Sequence, residues 1–108
     1  MFAKVFSGAV VGLDGVAVEV ETDILSGLPA FNIVGLPDKA VGESRERVRS
    51  AIKNMGADFP AKKITTNLAP GDLPKEGSAF DLPIAVSILL ASEQLRADVS
   101  HSMFLGEL

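Results

Sequence analysis

In the first third of the chain, apolar and polar residues alternate with the two-residue period of half-buried strands. Residues 3–12 are largely apolar, and Val16, Val18 and Val20 then alternate with Ala17, Glu19 and Glu21. Asp14-Gly15 predicts the hairpin turn between the two runs, because both positions tolerate positive φ. Ser26-Gly27-Leu28-Pro29 reads as a second turn, and Ala30–Val34 as a short third strand closed by Gly35 and Pro37. A helical period follows. Val41, Val48, Ala51, Ile52 and Met55 share one face at about 100° per residue, with Ser44 the only polar member of that stripe. Asp38 is placed to cap this helix and Gly56 to end it.

The β-branched run KKITTNL, residues 62–68, predicts a fourth strand. Residues 69–80, APGDLPKEGSAF, contain two prolines and two glycines and form a long irregular loop, a type that often has a function. A second helix starts with Asp81 as its N-cap, which puts Pro83 in the first turn, where a missing N–H does no harm. Residues 84–91 are apolar almost all round, so this helix is expected to be buried. Residues 103–108 read as the opening of another strand. The chain stops inside it, so the sequence, a single domain over 1–108, is expected to be truncated. Met55 and Met103 read as core filler, and His101 as a surface residue.

Composition narrows the chemistry. The 108 residues are 47% hydrophobic and 22% charged, enough for one packed core and incompatible with wholesale disorder. Ten bases against fourteen acids give a net charge of −4 and a pI near 4.8. That balance argues against a dedicated nucleic-acid coating protein while leaving room for a local basic face. The absence of Cys excludes disulfides, a thiol nucleophile and thiolate metal sites. One His and no Tyr or Trp argue against most metal centres and stacking platforms. The longest late apolar run, residues 82–91, is half the ~20 residues a membrane span needs, so a cytoplasmic protein without a membrane partner is expected.

Three segments together resemble one family: Phe31 to Asp38 (FNIVGLPD), Glu43 to Ile52 (ESRERVRSAI) and Asn67 to Ser78 (NLAPGDLPKEGS). Phe80 to Ala85 (FDLPIA) and Phe104 to Leu108 (FLGEL) extend the match. In this order they are similar to the amino-terminal domain of the magnesium-chelatase-like bacterial AAA+ ATPases of the ComM type. The resemblance implies an α+β fold: a two-layer mixed sheet with two helices on one face, in the order β-β-β-α-β-α. It also implies the superfold of the Lon proteolytic domain and of a ribosomal small-subunit protein domain. In that family an AAA+ module follows and assembles as a ring, with roles in DNA branch migration during natural transformation. This chain has no G-x-x-x-x-G-K-[ST] phosphate loop, so ATP and Mg are expected only with the absent module, and no cofactor is expected here. The expected partners are that module and neighbouring subunits of a ring, with DNA a further candidate.

Two sets of residues are candidate sites. Arg45, Arg49 and Lys53, at i, i+4 and i+8, form a row along one flank of the first helix, with Arg47 on the other. Such a row can meet successive phosphates, meet acidic groups of a protein partner, or remain a solvated face with Glu43 pairing to Arg47. The second set is Lys75 and Ser78. The resemblance to Lon invites a Ser-Lys dyad, in which a desolvated lysine activates the serine. Here, however, Lys75 beside Glu76 in a polar loop is expected to stay charged, and Ser78 follows Gly77 one residue too early for the protease pattern. A phosphate site of the GHMP-kinase type at Gly77-Ser78-Ala79 is a weaker alternative, opposed by Glu76 and Asp81. No catalytic or metal-binding residue is expected.

Overall fold

A glycine that nothing else could replace joins the sheet to its first helix. Gly35 has φ +110°, and a Cβ there would lie 2.1 Å from the Leu68 carbonyl oxygen of the neighbouring strand. The computed structural model describes residues 1–108, in the predicted order: β1 (Phe2–Val11), β2 (Asp14–Leu25), β3 (Ala30–Val34), α1 (Lys39–Asn54), β4 (Lys63–Ala69) and α2 (Asp81–Ala91). The strands form one mixed sheet in the order β1-β2-β4-β3, with β3 parallel to β4 and the other pairs antiparallel. β1 and β3 are therefore its edges.

Strand alternation decides which face is covered. Val5, Val18, Val20, Ile24, Phe31, Ile64 and Leu68 are buried on one face, whereas Lys4, Glu19, Glu21 and Asn67 stand on the other at least partly in solvent. Both helices pack on the buried face. α1 contributes Val41, Val48 and Ile52, each worth roughly 1.5–3 kcal/mol when removed from water. α2 contributes Ile84, Ala85, Ile88 and Ala91, and Phe80 enters from the preceding loop. Three of the five buried hydroxyls satisfy one another inside this core. Thr22 Oγ1 bonds Thr66 Oγ1 at 2.8 Å and Ser87 Oγ at 2.6 Å, and Ser87 donates back to the Ile84 carbonyl at 2.7 Å.

Several sequence expectations shift. The hairpin turn is Gly12-Leu13, since Val11 pairs with Asp14; Gly12 takes φ +63° while Gly15 lies inside β2. Positive φ at the first turn residue alone matches a type II′ turn, which needs one glycine and not two permissive residues. α2 is preceded by Phe80 as its cap, with Asp81 as the first helical residue and its carboxylate directed elsewhere. Asp38 caps α1 as expected, accepting from Val41 N at 2.8 Å. Gly56, at φ +86°, follows the C-cap Met55. Met55 and Met103 are not core residues: they are 67% and 57% exposed, because one lies past the helix end and the other crosses the β1 edge. His101 is exposed, as read.

Residues 103–108 do not form a strand. Only Met103 bridges to Phe6, with Phe104 N donating to the Phe6 carbonyl at 2.9 Å. The segment then turns to the start of α2, where Gly106 N donates to the Ala79 carbonyl at 2.8 Å and Gly106 O accepts from Leu82 N at 2.9 Å. The orphan Leu82 amide of the first turn of α2, together with the Ala79 carbonyl before it, competes for Gly106 more effectively than β1 does. Gly35→Ala should cost about 3 kcal/mol or more in urea unfolding, since both its positive φ and the Leu68 carbonyl forbid a side chain; a change under 1 kcal/mol would show that this turn can relax.

Candidate functional site

Arg47 and Asp81 form the strongest polar contact between the two helices. Asp81 has no exposed surface, and it sits at the head of an apolar helix, where an uncompensated carboxylate would be costly. Arg47 reaches it from α1 with Nε donating to Oδ2 at 2.6 Å and Nη2 to Oδ1 at 3.1 Å, a two-pronged pairing. Ser44, the polar member of the α1 stripe, donates a short hydrogen bond to Oδ1. Leu108 N donates to Oδ2 at 3.1 Å, so the same carboxylate holds α1, α2 and the last residue. The bond to Asp81 raises the Arg47 pKa above its ordinary value, against the opposing effect of desolvation. Glu43 adds a looser i, i+4 contact to Arg47 at 3.8 Å.

Lys75 behaves differently from its sequence surroundings. It is fully buried, not a solvated loop residue: its Nζ donates to the Gly35 carbonyl at 2.7 Å and, at short range, to the Pro70 carbonyl. Burial lowers its pKa, with Asp72 pulling weakly the other way. The backbone of the same residue bridges to Pro37, with Lys75 N donating to Leu36 O at 3.0 Å and Asp38 N to Lys75 O at 2.9 Å. Lys75 thus stitches the 69–80 loop to the turn between β3 and α1. The reason is local: a loop that must bury its carbonyls needs a donor, and a long lysine stem supplies one without a second polar chain.

Ser78 is half-buried and no hydrogen bond joins its hydroxyl to Lys75, whose donors go to the two carbonyls. Gly77 N, a donor that a phosphate would need, instead reaches Asp38 Oδ2 at 3.2 Å. The amides of Asp81 and Leu82 are taken by the carbonyls of Ser78 and Gly106.

The basic row divides as the helical wheel predicts. Arg47 turns inward to Asp81, while Arg45, Arg49 and Lys53 lie on the flank beside β3. Arg45 is exposed and donates only to the Gly42 carbonyl in its own helix at 3.1 Å. Arg49 lays its guanidinium over the Phe59 ring at 4.9 Å, and its Nε is buried without an acceptor. Lys53 is exposed. None of the three makes an internal salt bridge. Sequence reasoning missed Asp81 as the Arg47 partner and Phe59 as the Arg49 platform. A lone carboxylate opening an apolar helix was a signal for the first; nothing in local spacing pointed to the second. No group of His, Asp and Glu is positioned to hold a metal, and no helix is long and apolar enough to cross a membrane.

Comparison with known proteins identifies the class. Residues 20–108 match the family described as subunit ChlI of Mg-chelatase, and the chain belongs to that magnesium-chelatase-like family. Among curated relatives, it is 57% identical over 95 residues to the uncharacterised protein YifB of Salmonella typhimurium, covering 88% of this chain and 19% of that one. It is 54% identical over 99 residues to the competence protein ComM of Haemophilus influenzae, covering 92% and 19%. An uncharacterised protein of Mycobacterium bovis is 46% identical over 106 residues, covering 97% and 21%. The chain spans about a fifth of the length of these relatives. This is the region of a ComM-type protein that corresponds to its amino-terminal domain.

Arg47→Met, which strands the Asp81 carboxylate, should cost about 3 kcal/mol in urea unfolding, and Arg47→Met with Asp81→Leu should recover most of it. An additive double variant would show that the two groups do not interact. For Lys75, the ammonium is disfavoured in the folded state, so the unfolded chain holds more protons from the lowered folded pKa up to the ordinary 10.5. Stability should therefore rise with pH through that window. Lys75→Met should abolish the rise and, by orphaning two carbonyls, cost about 2 kcal/mol at neutral pH. A rise that persists in the variant would assign it to another group.

Proposed function

We propose that this chain is the accessory domain of a magnesium-chelatase-like AAA+ ATPase, itself performs no covalent chemistry, and works in assembly or DNA handling. The supporting observation is how its polar side chains are used. Arg47, Asp81 and Lys75 are engaged in holding elements together, whereas Arg45 and Lys53 are exposed on one flank of α1, with Arg49 between them over Phe59. A Ser-Lys peptidase would need a lysine amine beside Ser78; Lys75 Nζ is held by the Gly35 and Pro70 carbonyls instead. The β-β-β-α-β-α order supports the superfold shared with the ribosomal-protein and Lon domains.

In this reading, ATP and Mg²⁺ belong to a separate ATPase module, and the domain's protein partners are that module and adjacent subunits of a ring in the cytoplasm. The family resemblance brings DNA into the reading, and one relative carries the name of a competence protein. The motor would drive branch migration of incoming DNA, and the α1 flank would guide it or dock to a subunit. A salt titration against duplex, single-stranded and branched DNA separates these roles. If the flank guides DNA, wild type binds at low salt, with log K falling linearly against log salt. Charge reversal of Arg45, Arg49 and Lys53 to Glu should then abolish binding and flatten the slope. Absence of wild-type binding at low salt would remove DNA from the reading and leave assembly.

A further inference from the structure

The edge of β3 lies directly beside the basic flank of α1, and the two features fit one type of partner. The Ala30 N–H donates to the Lys62 carbonyl at 3.3 Å, which fixes the parity of this strand. Ala30, Asn32 and Val34 turn their backbone groups towards β4, so Phe31 and Ile33 turn theirs to the outer edge. No backbone bond outside the sheet ladder uses either residue. Two hollows flank this edge. One, of about 460 Å³, lies between Phe31 and α1 and is lined by Lys39, Arg45 and Arg49 and by Glu43 and Glu46. The other, of about 220 Å³, is lined by Arg49, Lys53 and Lys62 with Phe59 and two prolines. Together they present five cations against two carboxylates, on a chain whose net charge is −4. Arg49 belongs to both hollows.

We propose that the β3 edge takes up an extended acidic peptide segment of a protein partner as a fifth strand, with carboxylates at alternate positions facing Arg45, Arg49 and Lys53. Spacing supports the match. α1 is the return limb between the parallel strands β3 and β4, so its axis runs back along them. Residues four apart on a helix rise about 6 Å, and alternate side chains of a strand repeat about every 6.6 Å. Acidic groups on one face of an added strand therefore stay in step with the row over its whole length. Main-chain bonds to Phe31 and Ile33 would give affinity, and the cations would choose the partner. Lysines beside an open edge also discourage pairing with a second copy of the same basic edge. The inference rests on the assembly arm of the proposed function.

The test uses the 108-residue chain and a fluorescein-labelled peptide of alternating glutamate and threonine, read by anisotropy. Binding at low salt should weaken as salt rises and should fall about tenfold or more in the Arg45→Glu, Arg49→Glu variant. Amide exchange at Phe31 and Ile33 should slow on binding, while that at Asn32 stays unchanged. N-methylation of the peptide on alternate residues should abolish binding in one register and leave it intact in the other, a control that alters nothing in the protein. Binding that ignores N-methylation, or that leaves Phe31 and Ile33 unprotected, would overturn strand addition. So would failure of the peptide to bind, whether or not a single-stranded oligonucleotide binds. If the oligonucleotide binds and the peptide does not, the accessory-domain reading survives through its DNA arm.

Discussion

The buried Asp81 carboxylate sets the relative placement of nearly everything outside the sheet. It is the first residue of α2, yet its partners are Arg47 and Ser44 of α1 and the amide of Leu108. A well-packed apolar pair at these positions could be as stable, since the desolvation of two charges offsets most of their attraction. What an ion pair adds is direction. A two-pronged guanidinium tolerates little rotation of α1 about its axis, so fixing Arg47 inward also fixes Arg45, Arg49 and Lys53 on the opposite, β3-facing flank. The orientation of the candidate interface is thus a consequence of a contact on the far side of the same helix.

A second constraint works through the 69–80 loop. Its long irregular run would leave carbonyls unsatisfied if it simply lay over the core, and Lys75 answers two of them at once. Both carbonyls lie within reach of the one Nζ, so a single side chain ties Gly35 and Pro70 to the loop. Asp38 completes the closure, with one oxygen capping α1 and the other accepting from Gly77. The loop is consequently part of the packed structure, with its nucleophile-like serine at the rim and its one amine turned away.

How far the sequence showed this differs by level. Element order and most boundaries were legible because alternation and helical period are strong over residues 16–25 and 39–54. The hairpin turn was misplaced because Asp14-Gly15 is the more typical pair, whereas a type II′ turn required positive φ only at Gly12. Residues 103–108 have strand-like composition, but the Ala79 carbonyl and the Leu82 amide at the entry to α2 captured Gly106. The basic row was visible as a row. The fate of its members was not, because whether an arginine is spent or free depends on a residue 34 positions away, in Arg47's case Asp81. Lys75 was misread for the same reason: its acceptors lie at Gly35 and Pro70, and only the folded chain brings them together.

Charge is segregated across the sheet. β2 places Glu19, Glu21 and Asp23 on the open sheet face, with Lys4 of β1 meeting Glu19 at 3.5 Å. The cations of the α1 flank lie around the β3 edge, on the side of the sheet that the helices cover. A molecule of net negative charge thereby keeps one locally positive margin, bounded by an unpaired strand on one side and a helix on the other. Phosphates along a nucleic acid would be attracted to that margin, but they cannot use the outward N–H groups of Phe31 and Ile33 in ladder geometry. A polypeptide strand can use both, and an acidic one satisfies the cations as well. A segment that answers both features gains from each, whereas a ligand that answers only the charge leaves the edge unpaired.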